Sequence, residues 1–342
     1  MLESCRVSSL DAVFSLCANA DDLRGRTGRA VGIVGPNPSA NGAQNRAWAE
    51  ALKALGVDAA YLPLDLAPSP DPSAALARLL AAWEPASGLV GLKVAPPYKE
   101  ACVALRPDAA DGAAKRLGCA NTLARRGGRT VSANTDGEGM RLHLEESFGP
   151  LAGRAILIVG AGGAATGIVD ALAASAGRIV IANRTEAKAA ALAAFALRNH
   201  PAAKISAVSL AGLGAALAGA EVVVNTTSVG RQGPLEGFSA LCPTELSPAD
   251  NAAASALLLD GLKRPIAFAS TLYRPERELL LRQAEERGHR VANGLGMWLY
   301  QAAAAAKDLL FPDELATVPV GRVAAALRAA LEAQETPRPH AH

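Results

Sequence analysis

The 342-residue sequence lacks the features that announce several large classes of protein. It carries no excess of charge: 34 Lys and Arg stand against 32 Asp and Glu, for a net +2, and the basic residues are scattered. Nucleic acid or an anionic membrane surface would be met by a dense basic patch, so neither is expected as a partner. No apolar run approaches the ~18 residues that cross a bilayer. The opening stretch MLESCRVSSLDAVF carries Glu3 and Asp11 where a secretory leader would be basic, which points to the cytoplasm. Five cysteines, Cys5, Cys17, Cys102, Cys119 and Cys242, lie without C-x-x-C spacing and read as ordinary reduced residues. No His or Cys grouping has metal-ligand spacing, so no metal is expected.

What the sequence does have is alternation. Short aliphatic runs predict strands at 30–34, 59–64 and 89–94, and helical spacing predicts helices at 44–55 and 73–83. Turn-forming residues fill 35–42 and 68–72. Polar residues around 21–29 suggest a linker after a short helix. Residues 119–123 and 129–133 predict a hairpin turned by Gly127 and Gly128. Asn134-Thr-Asp-Gly-Glu-Gly139 then opens a long helix. Farther on, 221–228, 257–260 and 290–293 read as buried strands, and 295–309 as a strong last helix. The expected class is α/β, in two domains with a cleft between them. One is an N-terminal α/β substrate domain (1–139, completed by helices in 295–334), the other a Rossmann-like dinucleotide domain (140–294). Residues 335–342 are expected to be a disordered tail.

The most informative stretch is ILIVGAGGAATGIVDALAASAGRIVIANR, residues 156–184. A strand at 156–159 runs straight into Gly160-Ala161-Gly162-Gly163-Ala164-Ala165, which fits G-x-G-x-x-G/A. Gly160 permits the tight turn, Gly162 lets backbone approach a pyrophosphate, and Ala165 keeps the next helix close to the strand. That helix, expected at 164–176, aims its N-terminal amides at the phosphates. A second strand at 178–182 ends in Asn183-Arg184-Thr185, with Lys188 one turn on. A site for NAD would place an acidic residue there to accept from the ribose hydroxyls. A guanidinium instead pairs with a 2′-phosphate, so NADP is the expected cofactor.

In order along the chain, these residues resemble the shikimate dehydrogenase family. Val94-Ala-Pro-Pro-Tyr-Lys99 is similar to its N-V-T-x-P-x-K segment, and Cys119-Ala-Asn121-Thr122 to its G-A-V-N-T. Asn134-Thr-Asp136-Gly137 matches N-T-D-G, and Asn293-Gly-Leu-Gly-Met297 with Gln301 matches G-L-G-M-x-x-x-Q. The resemblance covers about residues 30–312. It implies an NADP-dependent alcohol dehydrogenase acting on shikimate, quinate or a related cyclic hydroxy acid, working as monomer or homodimer. It implies Lys99 and Asp136 as the catalytic pair, with Asn121, Tyr273 and Gln301 on the substrate. Thr226, Ser228, Gly294 and Met297 join the glycine loop, Asn183, Arg184, Thr185 and Lys188 around the cofactor. Taken alone, Lys99 would be a surface lysine and Asp136 a helix cap.

Three departures stand out. The family's S-x-S-P loop, whose hydroxyls hold the substrate carboxylate, is here Pro36-Asn-Pro-Ser39-Ala-Asn-Gly42, with Ser39 the one evident hydroxyl. The threonine of N-V-T is Ala95, and the asparagine before it is Lys93, which is either solvated at the strand's edge or supplies charge to a carboxylate or phosphate. The pattern suggests a paralogue with an altered substrate shelf. A non-catalytic NADP- or metabolite-sensing protein is the alternative, against which the presence of both Lys99 and Asp136 argues.

Overall fold

The computed structural model describes residues 9–335 apart from 68, 85 and 87. Eleven strands are formed among them, in two sheets. The described residues fall into two compact units: one holds those up to Thr135 and those from Ala302 onward, the other Asp136–Gln301.

The first unit is built on β1 (Ala30–Gly35), β2 (Ala60–Asp65), β3 (Leu89–Val94), β4 (Thr122–Arg126) and β5 (Arg129–Ala133), in the order β2-β1-β3-β4-β5. The first three are parallel, and the β4–β5 hairpin adds antiparallel to β3. Gly127 and Gly128 turn that hairpin at φ +53° and +77°, which glycine adopts without steric cost. Trp48 on the helix Gly42–Ala54 stacks on Tyr61 of β2, ring centroids 4.9 Å apart. Trp83 ends the helix Pro72–Trp83 and donates its indole N–H to Leu89 O at 2.7 Å. The same long helix Gly42–Ala54 packs against Val320–Glu335, the last helix described.

The second unit is one parallel sheet of β6 (Ala155–Val159), β7 (Arg178–Asn183), β8 (Ile205–Ser209), β9 (Val222–Asn225), β10 (Ala267–Ser270) and β11 (Arg290–Ala292). Its order, β11-β10-β9-β6-β7-β8, reverses at β6 and β9. This is the doubly wound arrangement that binds dinucleotides at the switch point. Leu157, Ile158, Val223 and Val224 are fully buried, as both-face burial of a parallel sheet requires.

Four expectations are corrected. Residues 257–260 are the last turn of the helix Pro248–Asp260, with Leu257 72% exposed; the strand that follows is β10. The helix after the glycine loop is Gly163–Leu172 and stops short of 176. Residues 21–29 are no plain linker, because the short helix Ala20–Leu23 buries Leu23 in the first core. Glu335, placed in the expected tail, ends a helix, and 336–342 lie outside the described residues. The helices Lys99–Leu105 and Gly112–Leu117 and the strand β8 are additions to the expected elements.

Candidate active site

The nucleotide side is set by β6 and the turn after it. Gly160 has φ +112°, and a Cβ there would lie 2.6 Å from Thr226 Oγ1. Thr226 is fixed in turn, its hydroxyl donating to Val159 O at 2.8 Å. Glycine is therefore dictated at 160 by neighbours as well as by backbone. Gly162 and Gly163 are the opposite case: a Cβ on either would meet nothing within 4 Å. Together with exposed Ala164, they leave open space over the start of the helix Gly163–Leu172, where amides lack an internal acceptor. Ala165 is wholly buried and keeps that helix down on the sheet. These features fit a dinucleotide diphosphate.

Beside this loop lies a cavity of about 250 Å³, lined by Gly160, Asn183, Arg184, Ser228, Val229 and Thr244 among others. Arg184 points into an ion pair with Glu245, Nη1 to Oε1 3.1 Å. Asn183 donates to Thr185 O at 2.9 Å and shapes the turn into the helix Glu186–Asn199, on which Lys188 is exposed. The far wall is held by a buried network. Asn225, at the end of β9, accepts from the Thr227 N–H and hydroxyl at 2.9 and 2.8 Å and donates to Glu278 at 3.0 Å. Glu278 is 1% exposed, and burial pushes its carboxyl up to about 7 against the hydrogen bonds from Asn225 and Ser270.

Asp136 is the first residue of the helix Asp136–Phe148, a position where a negative side chain is favoured. Its neighbour Gly137 touches the Gly167 carbonyl so closely that a Cβ would overlap it, and Gly139 similarly meets the Gln301 backbone. These two glycines bring Asp136, the nucleotide-binding helix and Gln301 together within the second unit. Gln301 is 8% exposed and donates to Trp298 O at 3.0 Å. Gly294 and Met297 have packing roles: Gly294 abuts the Thr271 carbonyl, and Met297 lies against the core. Tyr273 is half-buried in the loop after β10.

In the first unit, Lys99 heads the helix Lys99–Leu105, and its carbonyl accepts from Ala120 N at 2.9 Å. The next residue, Asn121, is 2% exposed and clasps Thr135: its Oδ1 accepts Thr135 N at 3.1 Å, and its Nδ2 donates to Thr135 Oγ1 at 3.0 Å. Thr135 is covalently followed by Asp136. Lys93, 5% exposed, donates to Thr122 Oγ1 at 2.9 Å, and Thr122 donates to Asn121 Oδ1 at 2.9 Å. Lys93, Thr122, Asn121 and Thr135 thus form one hydrogen-bonded chain, and the Lys99 carbonyl is tied to Ala120, the residue before Asn121. Ser39 stands apart from it. Its hydroxyl donates to Asp65 Oδ2 at 2.5 Å and its N–H to Asp65 Oδ1 at 2.8 Å. Sequence reasoning passed over Thr122 and Thr135, though both lie inside the motifs, and over Asp65, Glu245 and Glu278, which no motif marks.

A protein of Symbiobacterium thermophilum described as shikimate dehydrogenase (NADP(+)) is 36% identical over 281 residues, covering 81% of this chain and 87% of that one. The chain belongs to the shikimate dehydrogenase family. The model of the shikimate/quinate 5-dehydrogenase family matches residues 143–233. Among solved structures, shikimate 5-dehydrogenase of Listeria monocytogenes in complex with shikimate and NAD is similar, with a TM-score of 0.71, 26% identity and coverage of 88% and 96% of the two chains. The Thermus thermophilus shikimate 5-dehydrogenase in complex with NADP(H) and shikimate gives 0.64, 26%, 89% and 100%. The family membership accounts for the shared order of motifs.

Proposed function

We propose that the chain is an NADP-dependent oxidoreductase acting on the ring secondary alcohol, or the matching ketone, of shikimate, quinate or a related cyclic hydroxy acid. The observation that carries this reading is the clasp of Asn121 on Thr135. It ties the segment after Lys99 to the residue preceding Asp136, whose helix in turn packs on the nucleotide-binding helix. When bound, NADP supplies or accepts the hydride. Arg184 and Lys188 would hold the 2′-phosphate, and the amides of the first turn of Gly163–Leu172 would hold the diphosphate.

Lys99 hydrogen-bonds the reacting oxygen and carries its proton, which leaves the alcohol during oxidation and returns during reduction. The family resemblance gives Asp136 the role of orienting the lysine and accepting from a neighbouring ring hydroxyl. Asn121 and Gln301 bind further ring hydroxyls, with Tyr273 at the margin. The relatives named above carry the same activity in their descriptions. A cytoplasmic setting is inferred from the scattered cysteines, which have no C-x-x-C spacing.

The substrate is narrowed by the shelf. The Ser39 hydroxyl has one proton, and its shortest hydrogen bond sends it to Asp65; the Ala95 side chain has none to give. Carboxylate recognition by paired hydroxyls is therefore weakened, and an acid with a different substitution pattern from shikimate is the better fit. Lys93 attracts an anion as a point charge, without the two-hydroxyl geometry. Turnover of a panel of cyclic hydroxy acids with NADP tests the reading. Lys99-dependent reduction of NADP by at least one acid supports it. Tight binding of such acids with no turnover on any would favour the sensing alternative.

A further inference from the structure

The cavity beside the glycine loop has a feature that the cofactor assignment leaves unused. Its cation, Arg184, already faces an anion of the protein's own, Glu245, at 3.1 Å. The two residues are 61 positions apart, so the pairing is tertiary. Glu245 does not sit on a loose strand of chain. The segment before it forms the cavity wall through Ala240, Cys242, Pro243 and Thr244. That wall is stapled from inside by Asn251, which is 0% exposed. Its Oδ1 accepts Ser239 N at 2.7 Å, and its Nδ2 donates to Pro243 O at 3.0 Å and to Cys242 O at 3.3 Å. The Ser255 hydroxyl adds a donation to Ser239 Oγ at 2.7 Å. On the other side, Ser247 caps the helix Pro248–Asp260, accepting Asp250 N at 3.1 Å. Glu245 is held between two fixed points, opposite Arg184.

We propose that Glu245 is a specificity-determining residue that restrains the preference for NADP over NAD. The inference rests on the reading of Arg184 as the 2′-phosphate partner. A 2′-phosphate reaching Arg184 must displace Glu245 or share the guanidinium with it, and the phosphate and carboxylate repel. NAD carries a hydroxyl at that position and leaves the ion pair intact. The carboxylate therefore taxes NADP selectively. The pair is exposed to water, 68% and 64% for the two side chains, so solvent screening keeps the effect modest.

The test is equilibrium binding of NADP⁺ and NAD⁺ to the full chain, wild type, Glu245→Gln and Arg184→Ala, by calorimetry at low salt. Glu245→Gln is expected to tighten NADP⁺ roughly two- to fivefold and to change NAD⁺ by much less. The gain should shrink as salt is raised, which a merely structural loosening of the wall would not produce. If Arg184→Ala weakens NADP⁺ while Glu245→Gln leaves it unchanged, or tightens both cofactors equally, the role of Glu245 is overturned and the cofactor site stands. If Arg184→Ala leaves NADP⁺ unchanged, the site reading falls and this inference with it.

Discussion

Two loops, each following the first parallel strand of its sheet, make the useful comparison. After β6, the loop at 160–165 leaves open space: Gly162 and Gly163 have nothing within 4 Å of where a Cβ would be. After β1, the loop at 35–42 is closed on itself. Ser39 gives both its protons to Asp65, and the Asn45 amide donates to Pro38 O at 2.9 Å. A Cβ on Gly35 would already sit 3.3 Å from Ala95. One loop leaves open space beside its backbone; the other spends its donors on the protein. The same topological position thus serves binding or stability depending on where its hydrogen bonds go. It follows that cofactor use and substrate choice can diverge independently in this fold.

The comparison breaks first if the catalytic pair is idle. Lys99→Ala and Asp136→Ala should each lower kcat by ~10²–10⁴, with NADP affinity changed far less; steady-state rates beside calorimetric binding check this. Near-normal turnover in Lys99→Ala would remove it as the proton carrier.

The wall of the nucleotide side gives a pH test. Glu278 is raised from 4.5 to about 7 by burial, so the folded chain keeps a proton there that the unfolded chain sheds above 4.5. Its contribution is fully present below pH 4.5, is lost as pH rises towards 7, and is flat above. A shift of that size corresponds to about 3 kcal/mol of stability. Urea unfolding from pH 4.5 to 8 should show this slope in the wild type and a flatter one in Glu278→Gln. Equal slopes would show that Glu278 titrates normally.

Arg184→Ala should cost NADP binding about 1.5–3 kcal/mol, the value of a hydrogen bond to a charged group, and NAD binding little. Equal losses for both cofactors would place the 2′-phosphate elsewhere. The smallest expected effect is on the substrate side. Ala95→Thr returns a hydroxyl and should raise kcat/KM for shikimate by up to about tenfold; no gain would mean that position 95 does not face the carboxylate.

What could be read from sequence was what is local in sequence. The strand, glycine turn and helix at 155–172 are contiguous, and the motifs around Lys99, Asn121 and Asp136 are short runs with distinctive residues. Glu245, Glu278 and Asp65 meet their partners across separations of 61, 53 and 26 residues, and nothing in a single sequence marks such pairs. β8 was passed over because it is an edge strand with half-buried residues and no strong apolar run. Residues 257–260 are ambiguous by themselves, since three leucines in a row fit a helix end as well as a strand, but Ser247-Pro248 with Asp250 is a helix start signal upstream of them.

The central claim is that catalytic and cofactor machinery is intact while the grip on a shikimate carboxylate is reduced. Steady-state kcat/KM for shikimate with NADP tests it most directly. Loss of two hydroxyl contacts to a charged group, at about 1.5–3 kcal/mol each, would lower it by roughly 10²–10⁴ if they add. The account predicts a measurable, Lys99-dependent value that far below the ordinary enzyme range, with another cyclic hydroxy acid turned over faster. A value for shikimate near ~10⁵ M⁻¹s⁻¹, inside that range, would contradict it.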